Sequence, residues 1–281
     1  MHRRAVGAAL TLVAALAGAA PARAADPNLE RLVRTLRLQP ITLLGETHDN
    51  AAQHALRAAA LREHLAAGAR PALVMEQFDR EHQAALDRAL ARPGATPDDV
   101  IRAGAPDAAA LRGWDWRHYR PYIELAIAYR LPVVAANVSR TDARRAVQGG
   151  LAALGMNADI PADLQRAQAQ AIVASHCGAI DAAQAAPMVA AQVARDQVMA
   201  RALQADAERG VVLLAGNGHV RRDIGVPRWL SPSDRARSTS IGLVEAGDDD
   251  LGAAFDVALT TPAQPRPDPC AEMRSQMPKR P

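Results

Sequence analysis

Lysine is almost missing from this sequence. Of its 33 basic residues only Lys279 is a lysine, and arginine carries the rest. We read that as a coding bias towards Arg and Ala, not as nucleic-acid chemistry. Aromatics are scarce too: Phe78, Phe255, Trp114, Trp116, Trp229, Tyr119, Tyr122 and Tyr129 are all there are. The two cysteines, Cys177 and Cys270, form no CxxC pair and no Cys/His zinc-finger spacing. One apolar run alone approaches spanning length, which excludes a multi-pass membrane protein. The chain is 49% apolar and 22% charged with a formal net charge of +3, which excludes disorder over most of its 281 residues.

That one apolar run lies at the start. His2, Arg3 and Arg4 make a short basic opening, Ala5 to Ala20 follow without a charge, and Ala22-Arg23-Ala24 supplies small residues at −3 and −1 of a cleavage site. Residues 1–24 therefore read as a cleavable signal peptide. A retained anchor is the alternative, but the run is short and rich in Ala and Gly. No cysteine stands there to carry lipid. Three of the bases and none of the 30 acids fall in 1–24, so the mature chain is formally neutral and offers DNA or anionic lipid no basic excess. A periplasmic or secreted location, and no nucleic-acid partner, are expected. An exported chain with two cysteines invites one disulfide, with two free thiols as the alternative. A Cys177–Cys270 bridge would pin the Pro-rich tail, 262–281, over the body of the protein, 25–261, which is expected to be a single domain.

Short apolar runs read as buried strands: 41–44, 72–75, 132–136 and 211–215, with weaker ones at 240–244 and 255–259. They are apolar throughout, which suits strands covered on both faces. Helical patterns fill 50–67, 80–91 and 117–130, the last with Pro121 expected in its first turn. The expected fold is α/β, a mainly parallel central sheet flanked by helices, with a helical cap over about 141–209.

Each of the first four strands runs into polar residues. The first ends Gly45-Glu46-Thr47-His48-Asp49-Asn50, the second Glu76-Gln77-Phe78-Asp79-Arg80, the third Asn137-Val138-Ser139-Arg140 and the fourth Gly216-Asn217-Gly218-His219. Open parallel sheets bind ligands outside the carboxyl ends of their strands. His48, His219 and Glu46 or Glu76 suit a divalent metal such as zinc or manganese. Without metal, the same groups make a general acid/base pair. Asn137 and Arg140 suit an anion. The plainer alternative is that the acids pair with arginine and the histidines cap loops.

Two further features stand out. Trp114, Trp116, His118, Tyr119 and Tyr122, with arginines between them, suit a pocket for a flat ligand carrying acidic groups, or else a helix packed by its aromatic face. On a helix at about 187–208, Met188, Gln192, Arg195 and Met199 share one stripe. Met and Arg there suit a haem edge and its propionates, though such a stripe is more often plain core. His54, His64 and His82 are expected on solvated helix faces.

Taken in order, Leu44–Asn50, Met75–Asp79, Trp116–Pro121, Ala136–Arg140, Ala194-Arg195-Asp196 with Met199, and Gly216–Arg221 resemble the ChaN-like family of haem-binding proteins within the Tiki/TraB superfamily. The likeness runs from about residue 38 to 230. It implies an exported haem-binding protein linked to haem and iron uptake, with an envelope uptake receptor as a further partner. Family members bind a face-to-face haem pair across a homodimer, a tyrosine on each iron and a partner histidine on the propionates. By position Tyr119 is the implied axial ligand, Tyr122 the second choice, and His118, Arg195, Met199, His48 and His219 the other haem contacts. Some members are lipoproteins, and this chain departs from them in lacking the lipid-bearing cysteine. The superfamily also holds metal-dependent hydrolases with paired Gly-x-x-His motifs, here Gly45–His48 and Gly216–His219. On that alternative Glu46 or Glu76 is the base for a metal-bound water and Arg140 holds the oxyanion.

Overall fold

Six strands build one sheet in the order β3-β2-β4-β1-β5-β6, and every neighbouring pair is parallel. They are β1 (Ile41–Leu44), β2 (Ala72–Asp79), β3 (Val133–Asn137), β4 (Val211–Leu214), β5 (Ser238–Glu245) and β6 (Val257–Thr261). This computed structural model describes residues 26–268 and 270–271. The expected signal peptide, 1–24, and the end of the tail lie outside the described residues.

The continuous apolar runs are explained by two cores. Ile41, Leu43, Val74, Val211 and Leu213 point to one face, where Met199, Ala200 and Leu203 of a long helix cover them. Leu44, Leu73, Met75, Val212 and Leu214 point to the other, under Leu56, Leu61, Leu65, Tyr122 and Ile123. Alternate residues of one strand thus enter different cores, so both sets must be apolar. The helices of the second face are α1 (Pro27–Leu36), α2 (Ala51–Ala66), α3 (Gln83–Ala91), α4 (Pro97–Gly104), α5 (Ala108–Arg112) and α6 (Trp116–Tyr129). The cap is α7 (Arg140–Gly149), α8 (Ala162–Ser175) and α9 (Ala182–Asp206), packed around Val138, Ile172, Val189 and Val193. A short turn of helix, α10 (Asn217–Val220), follows β4.

The chain leaves β1 towards β2 and β3 on one side, and leaves β4 towards β5 and β6 on the other. The reversal falls between β1 and β4, so the Gly45–His48 and Gly216–His219 segments meet at the crevice where such sheets bind ligands.

Some local expectations are corrected. Because α6 begins at Trp116, Pro121 sits in its second turn; the carbonyl its missing N–H leaves free is that of Arg117, which is exposed. Residues 80–82 are a 3-10 turn ahead of α3. His54 is not solvated but 3% exposed, because α2 turns it inwards beneath the site.

Cys177 and Cys270 are joined, with Cα atoms 5.5 Å apart. The tail before the bridge is laid down by charge: Arg266 donates to Glu245 at 2.7 Å and to Asp49 at 2.7 and 2.8 Å. No described helix is long and apolar enough to cross a membrane.

Candidate functional site

Glu46 is the hub of the site. It leaves the end of β1 and is 2% exposed, so its charge needs partners. The fully buried Arg57 of α2 pairs with Oε2, and its other amino group donates to the Leu44 carbonyl at 3.0 Å. The Tyr119 hydroxyl donates to Oε1 at 2.6 Å. His48 Nδ1 lies 3.0 Å from Oε1 and His54 Nδ1 3.1 Å from Oε2. His54 Nε2 meets the His48 carbonyl at 3.0 Å. Burial pushes His54 down to about 4, so it is neutral at pH 7.

A second cluster faces it from β2, β4 and α9. Glu76 Oε2 accepts the Gly216 N–H at 2.7 Å, and Oε1 lies 3.5 Å from His219 Nε2 and 4.0 Å from His48 Nε2. His219 Nδ1 meets the wholly buried Asp196 at 2.6 Å. Burial alone would discharge this imidazole, but Glu76 and Asp196 on either side outweigh it and hold His219 protonated, up to about 10. Burial likewise favours a neutral Glu76, and His219 and His48 overturn that, holding it down at about 2. Asp196 is raised to about 6, because burial outweighs the pull of His219.

The glycines admit this packing. A Cβ on Gly216 would stand 2.8 Å from His48 Cε1 and 2.9 Å from Nε2. A Cβ on Gly45 would run into Asn217 Oδ1 and stand 2.6 Å from Val220 Cγ2. The two Gly-x-x-His turns fit together because neither carries a side chain at its first position.

The His48 side chain, 48% exposed, separates two cavities. One, of about 630 Å³, is walled by Trp114, His118, Tyr119 and Arg117, with Gln264 of the tail also lining it. His48 meets the edge of Trp114 at 4.9 Å, and His118 stacks flat on His54 at 4.4 Å. The other, of about 390 Å³, runs under the cap between His48, Gly216–His219, Gln168 and Gln192.

The family described as haem-binding uptake, Tiki superfamily, ChaN, matches residues 32–230. The chain belongs to that family. Its fold is similar to the ChaN of Campylobacter jejuni, a structure described as cofacial haem binding (TM-score 0.65, 18% identity, 76% of this chain and 85% of that one). Weaker likenesses are to the type III effector HopBA1 (TM-score 0.45, 17% identity, 78% and 82%) and to the erythromycin esterase EreC in its open conformation (0.44, 14%, 77% and 72%). No curated protein matches it.

Not every expected site residue of this ChaN-family chain converges. Met199 is fully buried in the core against the sheet, so this end of the stripe on α9 is packing. Tyr122 is fully buried, with its hydroxyl on the His54 carbonyl at 3.2 Å. Asn137 is committed to the backbone, donating to the Glu76 carbonyl at 2.8 Å and accepting from the Val138 N–H. Arg140 and Arg195 line a third cavity, beyond Trp114, away from His48 and His219. Of the expected metal set, His48 Nε2 and His219 Nε2 face Glu76 Oε1 at 4.0 and 3.5 Å, with His219 Nδ1 held by Asp196, while Glu46 is turned onto Arg57; among the described residues no three His, Cys, Asp or Glu stand at metal-binding spacing as they lie.

The sequence reading missed Arg57 and His54. Their spacing of three on α2 puts them on one face beneath Glu46, and an arginine amid an alanine-rich inward stripe was the available signal.

Haem passes the test of fit on the larger cavity. Its volume lies in the range of cofactor sites, and its wall combines an indole, two imidazoles and a phenol. His48 presents an accessible ring whose other nitrogen is held by a carboxylate, the usual arrangement behind a metal-ligating histidine.

Proposed function

We propose that this is an exported haem-binding protein of the uptake family, and that haem occupies the cavity of about 630 Å³ between His48 and the Trp114–Tyr119 wall. The observation that carries the reading is His48, which lines that cavity, is half exposed and is braced through Nδ1 by Glu46. Bound haem supplies a ferric iron as a Lewis acid and a flat apolar surface. The residues here supply the rest: Trp114 and His118 flank the ring system, and His48 is the accessible donor. Tyr119 is the oxygen donor at the same wall, and to reach an iron it must first leave Glu46. The open side of the cavity is where a second copy would complete a haem-bridged homodimer, and a receptor in the envelope would take the haem onward.

Haemin titration of residues 25–281, followed by absorbance and sedimentation, tests this. A saturable Soret band with dimer forming on binding is expected. A flat titration overturns the reading.

A second reading rests on the other cavity. His48 backed by Glu46, facing His219 backed by Asp196, with Glu76 between them, is an acid–base pair complete without metal. His48 would take a proton from water attacking an ester carbonyl, and protonated His219 would donate to the oxygen that leaves. Hydrolysis of activated esters in the presence of a chelator, lost about 100-fold in His48→Gln, supports it. A rate equal to buffer rejects it.

A further inference from the structure

Arg140 and Arg195 were expected at the main site, and the fold sends both elsewhere. They line a separate cavity of about 290 Å³ at the ends of β2 and β3, with Gln77, Asp79, His82 and Asp107. Among the described residues neither guanidinium forms a close ion pair: Arg195 donates to the Ala191 carbonyl at 3.3 Å and acts on Asp79 and Asp196 at longer range, and Arg140 likewise on Asp107. Arg140 opens α7, where Ser139 takes the Asp142 N–H at 3.2 Å. The N–H groups of Arg140 and Thr141 have no partner within the helix, and the helix dipole adds positive potential there.

Gln77 gives the independent sign of a ligand. It is 4% exposed, lines the cavity, and neither end of its amide makes a hydrogen bond. A polar neighbour of that amide is the Tyr119 hydroxyl, which donates to Glu46 and stays free to accept, yet no hydrogen bond of normal geometry joins the two. An amide left bare at such burial is costly unless something pairs with it. Of the two acids, Asp107 is committed to capping α5 through the Ala110 N–H at 2.7 Å. Asp79 is pushed up by burial and by Glu81, so it gives up its charge more readily than an ordinary carboxylate.

We infer that this cavity is a second ligand site, for a small molecule bearing an oxyanion. Arg140, Arg195 and the start of α7 hold the anionic group, and the Gln77 amide pairs with a neutral polar group beside it. Planar guanidinium forks and helix N–H groups suit carboxylate and phosphate alike. The volume admits a compact organic acid or phosphate ester but not a macrocycle. Trp114 walls this cavity and the larger one, so the two ligands would be neighbours.

The test uses the disulfide-bonded chain without haem, at low ionic strength, titrated with inorganic phosphate and separately with malonate. Calorimetry and melting temperature are the readouts, with chloride as the ionic control. Saturable binding of one or both is expected, weakened about tenfold or more in Arg140→Met and Arg195→Met and retained in His48→Ala. Phosphate alone or malonate alone identifies the source of the oxyanion. Gln77→Leu, matched in size, is expected to hold its melting temperature while losing affinity. No binding above the chloride control, or binding indifferent to both arginines, overturns the inference. So does loss of haemin binding in Arg195→Met, since the arginines would then be serving haem carboxylates rather than a separate ligand.

Discussion

The hydroxyl of Tyr119 donates to Glu46 at 2.6 Å, tying the aromatic wall to the end of β1. Arg57 meets the same carboxylate from below, and all three groups are buried. Removing the hydroxyl leaves Glu46 with Arg57 and the histidines, so Tyr119→Phe is expected to cost about 1–3 kcal/mol in denaturant unfolding. Removing the charge is worse. Glu46→Gln strands a guanidinium with no access to water, with an expected loss of about 3–5 kcal/mol. If Glu46→Gln proves the milder change, Arg57 is not held by this charge.

The same bond decides how iron would be held. With Tyr119 committed to Glu46, His48 is the accessible donor, so Tyr119→Phe is expected to keep a saturable Soret band while His48→Ala weakens it at least tenfold. The reverse pattern in haemin titrations would show that Tyr119 leaves Glu46 to take the iron.

Gly216 allows the His48 ring to lie over the end of β4. A methyl group there would stand 2.8 Å from the ring, a distance side chains do not tolerate. His48 is half exposed and can swing away. Gly216→Ala is therefore expected to fold, with a loss of about 1–3 kcal/mol, and to lower haemin affinity as His48→Ala does. A crystal structure of the variant with His48 unmoved would contradict this.

His54 gives the site a dependence on pH. An unfolded histidine takes up its proton near 6.5, whereas folded His54 resists until about 4. The unfolded state thus binds more protons between those values. The stability His54 contributes is complete above about pH 6.5 and is lost as pH falls towards 4. Asp196, raised to about 6, acts in the opposite sense below that pH, so the comparison must be made against a variant. From pH 7.5 to 5, the wild-type chain is expected to lose about 2 kcal/mol more than His54→Asn in chemical denaturation. Equal losses would mean that His54 titrates normally.

The strands, their parallel run and the meeting of polar turns at their ends were legible because each rests on a local signal. Runs such as Leu43-Leu44 and Leu213-Leu214 mark strands buried on both faces, and the Gly-x-x-His turns follow them directly. What a side chain does once there was less legible. Nothing local tells that Glu46 turns down onto Arg57 while His48, two residues on, stays half exposed. Nor does a stripe of Met and Arg on α9 say that Met199 enters the core while Arg195 opens into a cavity. The direction of a helix face depends on what packs against it, and here that is the sheet, whose β2 and β3 lie far earlier in the chain.

The Cys177–Cys270 bridge closes a long loop, with the cysteines 93 residues apart, and holds the tail across the site. Ahead of the bridge, Arg266 pairs with Asp49 and Glu245, and Gln264 lines the larger cavity. Cross-linking so long a loop restricts the unfolded chain, by at most about 4–5 kcal/mol on the chain-entropy account. Cys270→Ser is expected to lose a good part of that in denaturant unfolding, and adding reductant to the wild-type chain should give the same loss. The Arg266 pairs are partly exposed, so they hold the tail only weakly once the bridge is gone. Haemin association in stopped flow should therefore be faster in Cys270→Ser than in the bridged chain. An unchanged rate would mean that the tail does not obstruct the cavity mouth, and that the bridge serves stability alone.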